Sequence, residues 1–428
     1  MSLASLSLEQ APPISVPFRF FLSAPLFLLL AATALLVAGP VALESRWSTA
    51  LLSTTHLLTL GCMSMVMCGA MLQMLPVLAG SPVPNPRMVA WAIHLPLLAG
   101  ALLLCAGLYL GTPLLLQLAM PLLIFAFGTF LCIAAYSLVR AQARNASTRA
   151  MLLALAALAF TLVLGVLLAG GVAGLLELPM LQLVALHANW GLLGWTALLV
   201  IGVAYQVVPM FQLTPLYPRM ITRWLGGILF ALLLLWSLYP LLPQPAAGIL
   251  SLIAACGLAA CITVFALSTL RLQHKRRRRV PDVVLQFWRI GMFSLLAATL
   301  LWMAGQFSTV LSESTFYPLA LGILFIAGFA LSVIHGMLYK IASFLVWFHL
   351  QGKLPSKEVP NMKTIIPDTA ARRHWYTHLA SVLLGLAAAL WPMPWIYAAG
   401  VALFLSGLLL LANLYGAWNC YRRMVPKA

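Results

Sequence analysis

Residues 187–211 read HANWGLLGWTALLVIGVAYQVVPMF, a stretch without Asp, Glu, Lys or Arg. At a rise of 1.5 Å per residue, a helix of this length crosses the hydrocarbon core of a bilayer, which is about 30 Å thick. Similar stretches recur along the chain, which is 63% hydrophobic and 7% charged. Soluble domains carry roughly 25% charged residues. The sequence therefore predicts an all-α polytopic membrane protein with the lipid bilayer as its main partner.

The apolar stretches predict about twelve transmembrane helices in one domain over residues 20–417. This domain lies between predicted cytoplasmic tails at 1–19 and 418–428, with inner loops near 271–283 and 350–375. The predicted spans lie near 20–41, 50–78, 88–110, 114–138, 151–174, 181–211, 224–243, 246–270, 284–311, 317–348, 376–394 and 396–417.

The formal net charge of +17 is explained by its distribution along the chain. With the N-terminus inside, every Lys and Arg except Arg46 and Lys340 falls at or near the inner face, as the positive-inside rule requires. This arrangement predicts that both termini are cytoplasmic. The HKRRRR run at residues 274–279 then serves as a topology signal near anionic lipid head groups. We expect no nucleic-acid site.

An internal repeat links predicted spans two and six. Residues 56–78, HLLTLGCMSMVMCGAMLQMLPVL, follow the same order as residues 187–211. Each stretch begins with a histidine, has glycines in its middle and ends with a Gln and a Pro. The matching residues are His56, Gln73 and Pro76 in span two, and His187, Gln206 and Pro209 in span six.

Span ten carries a third version of this pattern, in which Gly336–Lys340 (GMLYK) aligns with Gly202–Gln206 (GVAYQ). Because the three spans are four apart, the pattern predicts three pseudo-repeated arcs of four helices. The alternative is coincidence, since Gly and Pro are common in membrane helices.

His56 and His187 are candidate metal ligands. Each lies about six residues inside the outer end of its span, at the same depth of roughly 9 Å. Imidazole is the commonest protein metal ligand and a usual axial ligand of haem iron. Two imidazoles at equal depth on two helices suit a bis-histidine haem b. In the plainer alternative, both are ordinary histidines hydrogen-bonded to backbone carbonyls or water.

Glycines in span six have two interpretations. At 100° per residue, Gly191, Gly194, Gly202 and Tyr205 fall close to the face of His187. Small residues beside a ligand leave room for a macrocycle. They also allow helices to pack closely without any cofactor.

A row of methionines follows His56 down one face of span two: Met63, Met67, Met71 and Met74. Thioethers prefer Cu(I), so a copper site or path at Met63 and Met67 is one interpretation. The other is core filling or lipid contact, the more usual role of such a stripe.

Lys340 is the basic residue deepest in a predicted span, where an ammonium group needs a partner or water. We expect Lys340 in a polar inner cavity with Tyr339 or Gln206 nearby; the alternative is that it snorkels to the interface. His335 lies one turn before Tyr339 on the same helix.

The remaining histidines are weaker candidates. His94, His349 and His378 lie nearer the inner ends of their spans. His274 and His374 are assigned to inner loops.

The order of spans and histidines resembles subunit I of the haem–copper oxidases, and more closely the NnrS family of haem- and copper-containing membrane proteins linked to nitric-oxide stress. The opening PFRFFLSAPLFLL at residues 17–29 is similar to that family's opening. His56, Gly61, Gly69 and Pro76 keep the spacing of its second-span signature. The resemblance implies a bacterial inner-membrane protein with a periplasmic or membrane redox partner.

The resemblance implies a low-spin haem ligand position at His56 and the first copper ligand position at His187. Two departures limit it. In this sequence, Thr54 stands where the family's HAHEM pattern has its first histidine. The acidic residue of that pattern is absent. Span seven ends SLYPLLP and span ten opens FYPLALG. Neither stretch contains the other oxidase ligands.

The resemblance therefore implies a haem-binding protein in a redox or nitric-oxide context without oxidase turnover. The alternative is a non-redox scaffold, an assembly factor, or a transporter whose helices broken at Pro76 and Pro209 line a path.

Overall fold

A computed structural model of the chain describes residues 11–141, 145–277, 282–355 and 358–425. Several positions predicted at the inner face lie outside the described residues: Arg144, Arg278, Arg279 and Lys357. The same holds for the first ten and the last three residues of the predicted tails.

The described part of the chain is helical and contains no strand, which confirms the all-α polytopic membrane fold. Helices suit this environment because they satisfy their backbone hydrogen bonds internally. Among the described residues, eleven helices are long and apolar enough to cross a membrane. They are α1 (Ser15–Leu43), α2 (Thr49–Val77), α3 (Pro86–Leu110), α4 (Pro113–Val139), α5 (Ala146–Val172), α6 (Met180–Gln212), α7 (Arg219–Leu241), α8 (Ala246–His274), α9 (Val283–Phe307), α10 (Phe316–Gln351) and α12 (Pro392–Met424).

The remaining long helix, α11 (Asp368–Leu390), corresponds to the predicted span 376–394. It has 23 residues and packs along α12. It begins eight residues before the predicted start because its first turns carry charges, Asp368, Arg372 and Arg373, which the hydropathy pattern assigns to a loop. The assignment of His374 to an inner loop is therefore wrong: this residue lies in α11 and is fully buried.

Local sequence explains where several helices begin. Asn145 and Thr148 form a capping box at the start of α5, each side chain accepting from the other residue's backbone N–H. Asp282 caps α9 by accepting from the N–H of Leu285. Between α3 and α4, Gly111 adopts φ 63°, a left-handed conformation that glycine tolerates, and Pro113 starts the next helix.

Helices adjacent in sequence pack against one another from α1 to α10, and α11 packs against α12. The last helix, α12, returns to contact α1. The N-terminal segment and the end of α10 meet on one face, where Nε2 of His349 lies 3.2 Å from the carbonyl oxygen of Pro12. We call this face, which also carries the α10–α11 connection, the inner face.

Within the described residues, π-helical segments interrupt α2, α6 and α10. They cover Leu57–Met63, Trp190–Ala197 and Ile323–Leu331. The segment in α10 contacts both of the others. The same rare distortion thus recurs in the three helices that the sequence repeat aligns. Such π segments often occur near functional sites.

Candidate functional site

His56 and His187 lie side by side between α2 and α6. Their ring centroids are 6.3 Å apart and their planes are inclined by 22°. Each histidine lies close to a π segment: Leu57–Met63 follows His56 directly, and Trp190–Ala197 begins three residues after His187. The structure thus brings together two residues that the sequence placed at equal depth on separate helices.

Backbone carbonyls hold both imidazoles. Nδ1 of His56 lies 2.8 Å from the carbonyl oxygen of Leu52, one turn earlier in α2. Nδ1 of His187 lies 3.1 Å from the carbonyl oxygen of Thr161 in α5. Because a carbonyl only accepts, each Nδ1 carries the proton, and Nε2 of each neutral ring keeps its lone pair. Metal-binding histidines typically donate their other ring N–H to a carbonyl in this way.

A glycine makes room for the His187 ring. A Cβ atom at Gly165 of α5 would lie 3.0 Å from Cε1 of His187 and 3.4 Å from its Nδ1. The ring therefore rests against the α5 backbone at a position where glycine leaves space for it.

The glycines of α6 pack against α5. A Cβ at Gly194 would lie 2.8 Å from Cβ of Ala157, and one at Gly202 would lie 2.7 Å from Cβ of Ala150. One at Gly191 would lie 3.2 Å from Cγ2 of Thr161. At these positions the structure favours close helix packing over open space for a macrocycle.

The ring separation of the histidine pair agrees with that of two imidazoles bound to one metal ion. Two imidazoles on opposite sides of one metal, with metal–nitrogen bonds of about 2.0–2.1 Å, have ring centroids roughly 6.3 Å apart. The observed separation of 6.3 Å matches this value. Among the described residues, no three His, Cys, Asp or Glu side chains are grouped to hold a metal ion. This pair offers two nitrogens, the number that a haem takes from a protein when its iron is six-coordinate.

The methionines of α2 lie in the protein interior. Met63 is buried, and Met67, Met71 and Met74 line an apolar cavity of about 70 Å³. This cavity lies between α2, α6, α9 and α10, with Trp288 and Met337 on its other walls. Here the methionines fill the region where the three repeated helices meet, and copper binding by Met63 and Met67 stays a prediction.

Lys340 lines a polar cavity of about 70 Å³ at the inner face. Tyr339, Asp282, Lys363 and Asp368 also line it. Nζ of Lys340 lies 5.8 Å from the centroid of the Phe211 ring. Gln206 is not among the residues that line this cavity.

His94 joins two helices. Its Nε2 lies 2.8 Å from Oγ of Ser23 in α1, and the Phe20 ring packs edge-on against it with centroids 5.1 Å apart. His94 is buried and links α3 to α1.

A second group of histidines was missed in the sequence. His335 of α10 lies beside His374 and His378 of α11, with ring centroids 4.9 Å and 4.8 Å away. The available signal was the spacing of His374 and His378, since residues four apart share one face of a helix. The hydropathy pattern hides this spacing, because it starts the helix at residue 376 and so assigns His374 to a loop.

Comparison with known proteins adds no relative: no family model and no curated protein matches this chain.

Proposed function

We propose that this protein binds one haem b between α2 and α6, with His56 and His187 as its axial ligands. The observation that supports this most strongly is the 6.3 Å separation and 22° inclination of the two rings. Both Nδ1 atoms are hydrogen-bonded to carbonyls, which orients the rings and leaves Nε2 of each for iron. Bound there, the haem would supply one-electron redox chemistry.

The proposed location of the haem suits a role in electron exchange or sensing. On the proposed topology, with both termini in the cytoplasm of a bacterial inner membrane, the pair lies near the periplasmic side. A haem there can exchange electrons with a periplasmic or membrane partner. The resemblance to the NnrS family supports a nitric-oxide or respiratory-stress context.

Sustained reduction of oxygen or nitric oxide is not part of the proposal. Two protein ligands on one haem iron leave no coordination position for a gas. The chain also lacks the histidines that the resemblance would require for a copper centre. Steady turnover of either gas by the purified protein, abolished in His187→Ala, would contradict the proposal.

Haem content of the purified full-length protein tests the proposal. We expect a Soret band, a reduced-minus-oxidised spectrum of haem b and one haem per chain. His56→Ala and His187→Ala should each lose most of the haem or its low-spin spectrum. The matched control is His94→Ala, because His94 is also a helix-joining histidine but lies away from the pair; it should keep the wild-type spectrum.

Two results would contradict the proposal. One is wild-type protein without haem, which would favour a non-redox scaffold, or Cu(I) held linearly by the two imidazoles if metal analysis found copper. The other is haem with an unchanged spectrum in both histidine variants, which would place the ligands elsewhere.

A further inference from the structure

Three histidines form a compact group in the interior, separate from the proposed haem site. We call His335, His374 and His378 the histidine cluster. Their ring centroids lie 4.8–6.1 Å apart, and each side chain is at most 1% exposed. Polar side chains buried in a membrane protein are expensive, so a group of three calls for a physical reason.

The cluster is incompletely hydrogen-bonded within the described residues. Neither ring nitrogen of His335 has a partner, and Nδ1 of His378 has none. A neutral imidazole carries one donor and one acceptor, and leaving either unsatisfied in the interior costs about 1–3 kcal/mol. Three such nitrogens within a few ångströms of one another are the surroundings in which buried water is found, since an internal water needs two to four polar partners.

The cluster is connected to the inner face through Tyr339. The Tyr339 hydroxyl lies 2.6 Å from Nδ1 of His374, and Tyr339 also lines the polar cavity that contains Lys340 and Asp368. On the other side of its ring, Nε2 of His374 lies 3.0 Å from Oγ of Ser406. A continuous row of polar groups therefore leads from the cavity to the cluster.

The helices around the cluster contribute mainly neutral groups. From α9, the Phe287 ring packs against all three histidines. From α12, Ser406 contacts His374, and Asn413 donates to the Tyr339 hydroxyl at 3.0 Å. From α10, Oγ of Ser332 lies 2.8 Å from Nε2 of His378.

Charged groups lie at the inner face, around the polar cavity. They are Asp282 before α9, Lys340 of α10, Lys363 of the short helix Met362–Ile365 and Asp368 of α11.

We propose that the histidine cluster is a hydrated site that exchanges protons with the inner face through Tyr339. When Tyr339 gives its hydroxyl proton to Nδ1 of His374, Nε2 of that ring gives its own proton to the Ser406 hydroxyl, which passes one on to water in the cluster. The tyrosine regains a proton from water in the cavity. Imidazole suits this role because its two nitrogens can bind and release protons in turn. The ring is left with its proton on Nδ1 instead of Nε2. The reverse sequence restores the first tautomer, so protons exchange between the cavity and the cluster without net transport.

Hydrogen–deuterium exchange at the imidazole C2 position tests this proposal, because that exchange requires both protonation of the ring and access to water. It is measured for each histidine by mass spectrometry of the intact chain in detergent or lipid discs. We expect measurable exchange at His335, His374 and His378 in the wild type. Tyr339→Phe should slow exchange by about fivefold at His374 and at its neighbour His335, since it removes the hydrogen bond between the Tyr339 hydroxyl and Nδ1 of His374.

The matched control is Tyr205→Phe. Tyr205 holds the equivalent position in α6, but its hydroxyl donates to the carbonyl oxygen of Ile221 at 3.3 Å and not to a histidine. This variant should leave exchange at the cluster unchanged. Exchange at His94 and His349 reports whether either variant has kept the fold.

Two outcomes would overturn the proposal. If His335 keeps its C2 hydrogen in the wild type throughout the incubation, its ring either meets no water or is never protonated. Either case rules out the proposed proton exchange, and this result needs no variant. If the cluster exchanges equally fast in wild type and Tyr339→Phe, with His94 and His349 unchanged, access does not run through Tyr339. Neither outcome depends on whether haem binds at His56 and His187.

Discussion

At the scale of single residues, the two proposed haem ligands are held in different ways. His56 is fixed by its own helix, through the carbonyl of Leu52 four residues earlier. His187 is fixed by a neighbouring helix, through the carbonyl of Thr161 and the backbone at Gly165. The position of the His187 ring therefore depends on how α5 packs against α6, whereas that of His56 does not.

A substitution in α5 should for this reason disturb haem binding without touching either ligand. Gly165→Ala places a methyl group 3.0 Å from Cε1 of His187, so the ring must move. Overpacking of this kind costs about 1–3 kcal/mol, which corresponds to roughly tenfold weaker haem binding. Haem content and the Soret maximum of the purified variant measure the effect.

The control for this prediction is Gly128→Ala in α4, where an added Cβ meets no atom within 4 Å. It should keep the wild-type haem content. Equal haem content in both variants would show that the His187 ring does not need its place against α5.

The sequence predicted the equal depth of His56 and His187 and the shared face of the α6 glycines, but not the π segments beside the two histidines. A rotation of 100° per residue holds only for a regular α-helix, and Trp190–Ala197 is a π segment with a wider turn. Gly191, Gly194 and Gly202 nevertheless lie against α5, the helix that also holds the His187 ring, so the predicted shared face persists through this segment. Hydropathy measures length and polarity, so it carries no signal for a π segment.

At the scale of helices, the recurrence of π segments in α2, α6 and α10 agrees with the repeat found in the sequence. Most span boundaries were predictable because lipid imposes a minimum apolar length on each helix. The exception, α11, shows the limit of this argument. Its charged first turns hide its true start, and with it the place of His374 in the protein interior.

Close packing between α5 and α6 should be essential for stability. At Gly202 a Cβ would lie 2.7 Å from Cβ of Ala150 and 3.4 Å from the carbonyl oxygen of Ser147. Gly202→Val should therefore lower the free energy of unfolding by about 1–3 kcal/mol. Thermal or denaturant unfolding of the purified protein in detergent measures this change.

Gly227→Val is the matched control, because the Cβ position at Gly227 of α7 meets no atom within 4 Å. Its unfolding midpoint should stay near that of the wild type. A Gly202→Val protein as stable as this control would mean that α5 and α6 can separate without cost.

At the scale of the whole molecule, α11 determines the location of the C-terminus. Eleven crossings would place the two ends of the chain on opposite sides of the membrane, whereas α11 as a twelfth crossing places them on the same side. α1 and α12 are in contact along the bundle, and the described N-terminal segment reaches His349 at the inner face. The positive-inside pattern favours twelve crossings with both ends in the cytoplasm.

Cysteine labelling in a cysteine-free background tests this topology. A membrane-impermeant reagent added to intact cells should label Ser45→Cys but not Lys275→Cys or Val425→Cys. The latter two should react only after the membrane is permeabilised. Labelling of Val425→Cys in intact cells would mean that α11 does not cross the bilayer, and labelling of Lys275→Cys would reverse the assignment of the basic loop.

Electron paramagnetic resonance of the oxidised, purified protein is the most direct test of the bis-histidine haem. Two imidazole ligands make ferric haem low-spin, and nearly parallel ring planes, such as the 22° between His56 and His187, give a rhombic spectrum because they split the iron d orbitals unequally. We expect this rhombic low-spin signal in the wild type, and its loss in both His56→Ala and His187→Ala. A high-spin signal in the wild type, or a low-spin signal that survives both substitutions, would contradict ligation of one haem by these two histidines.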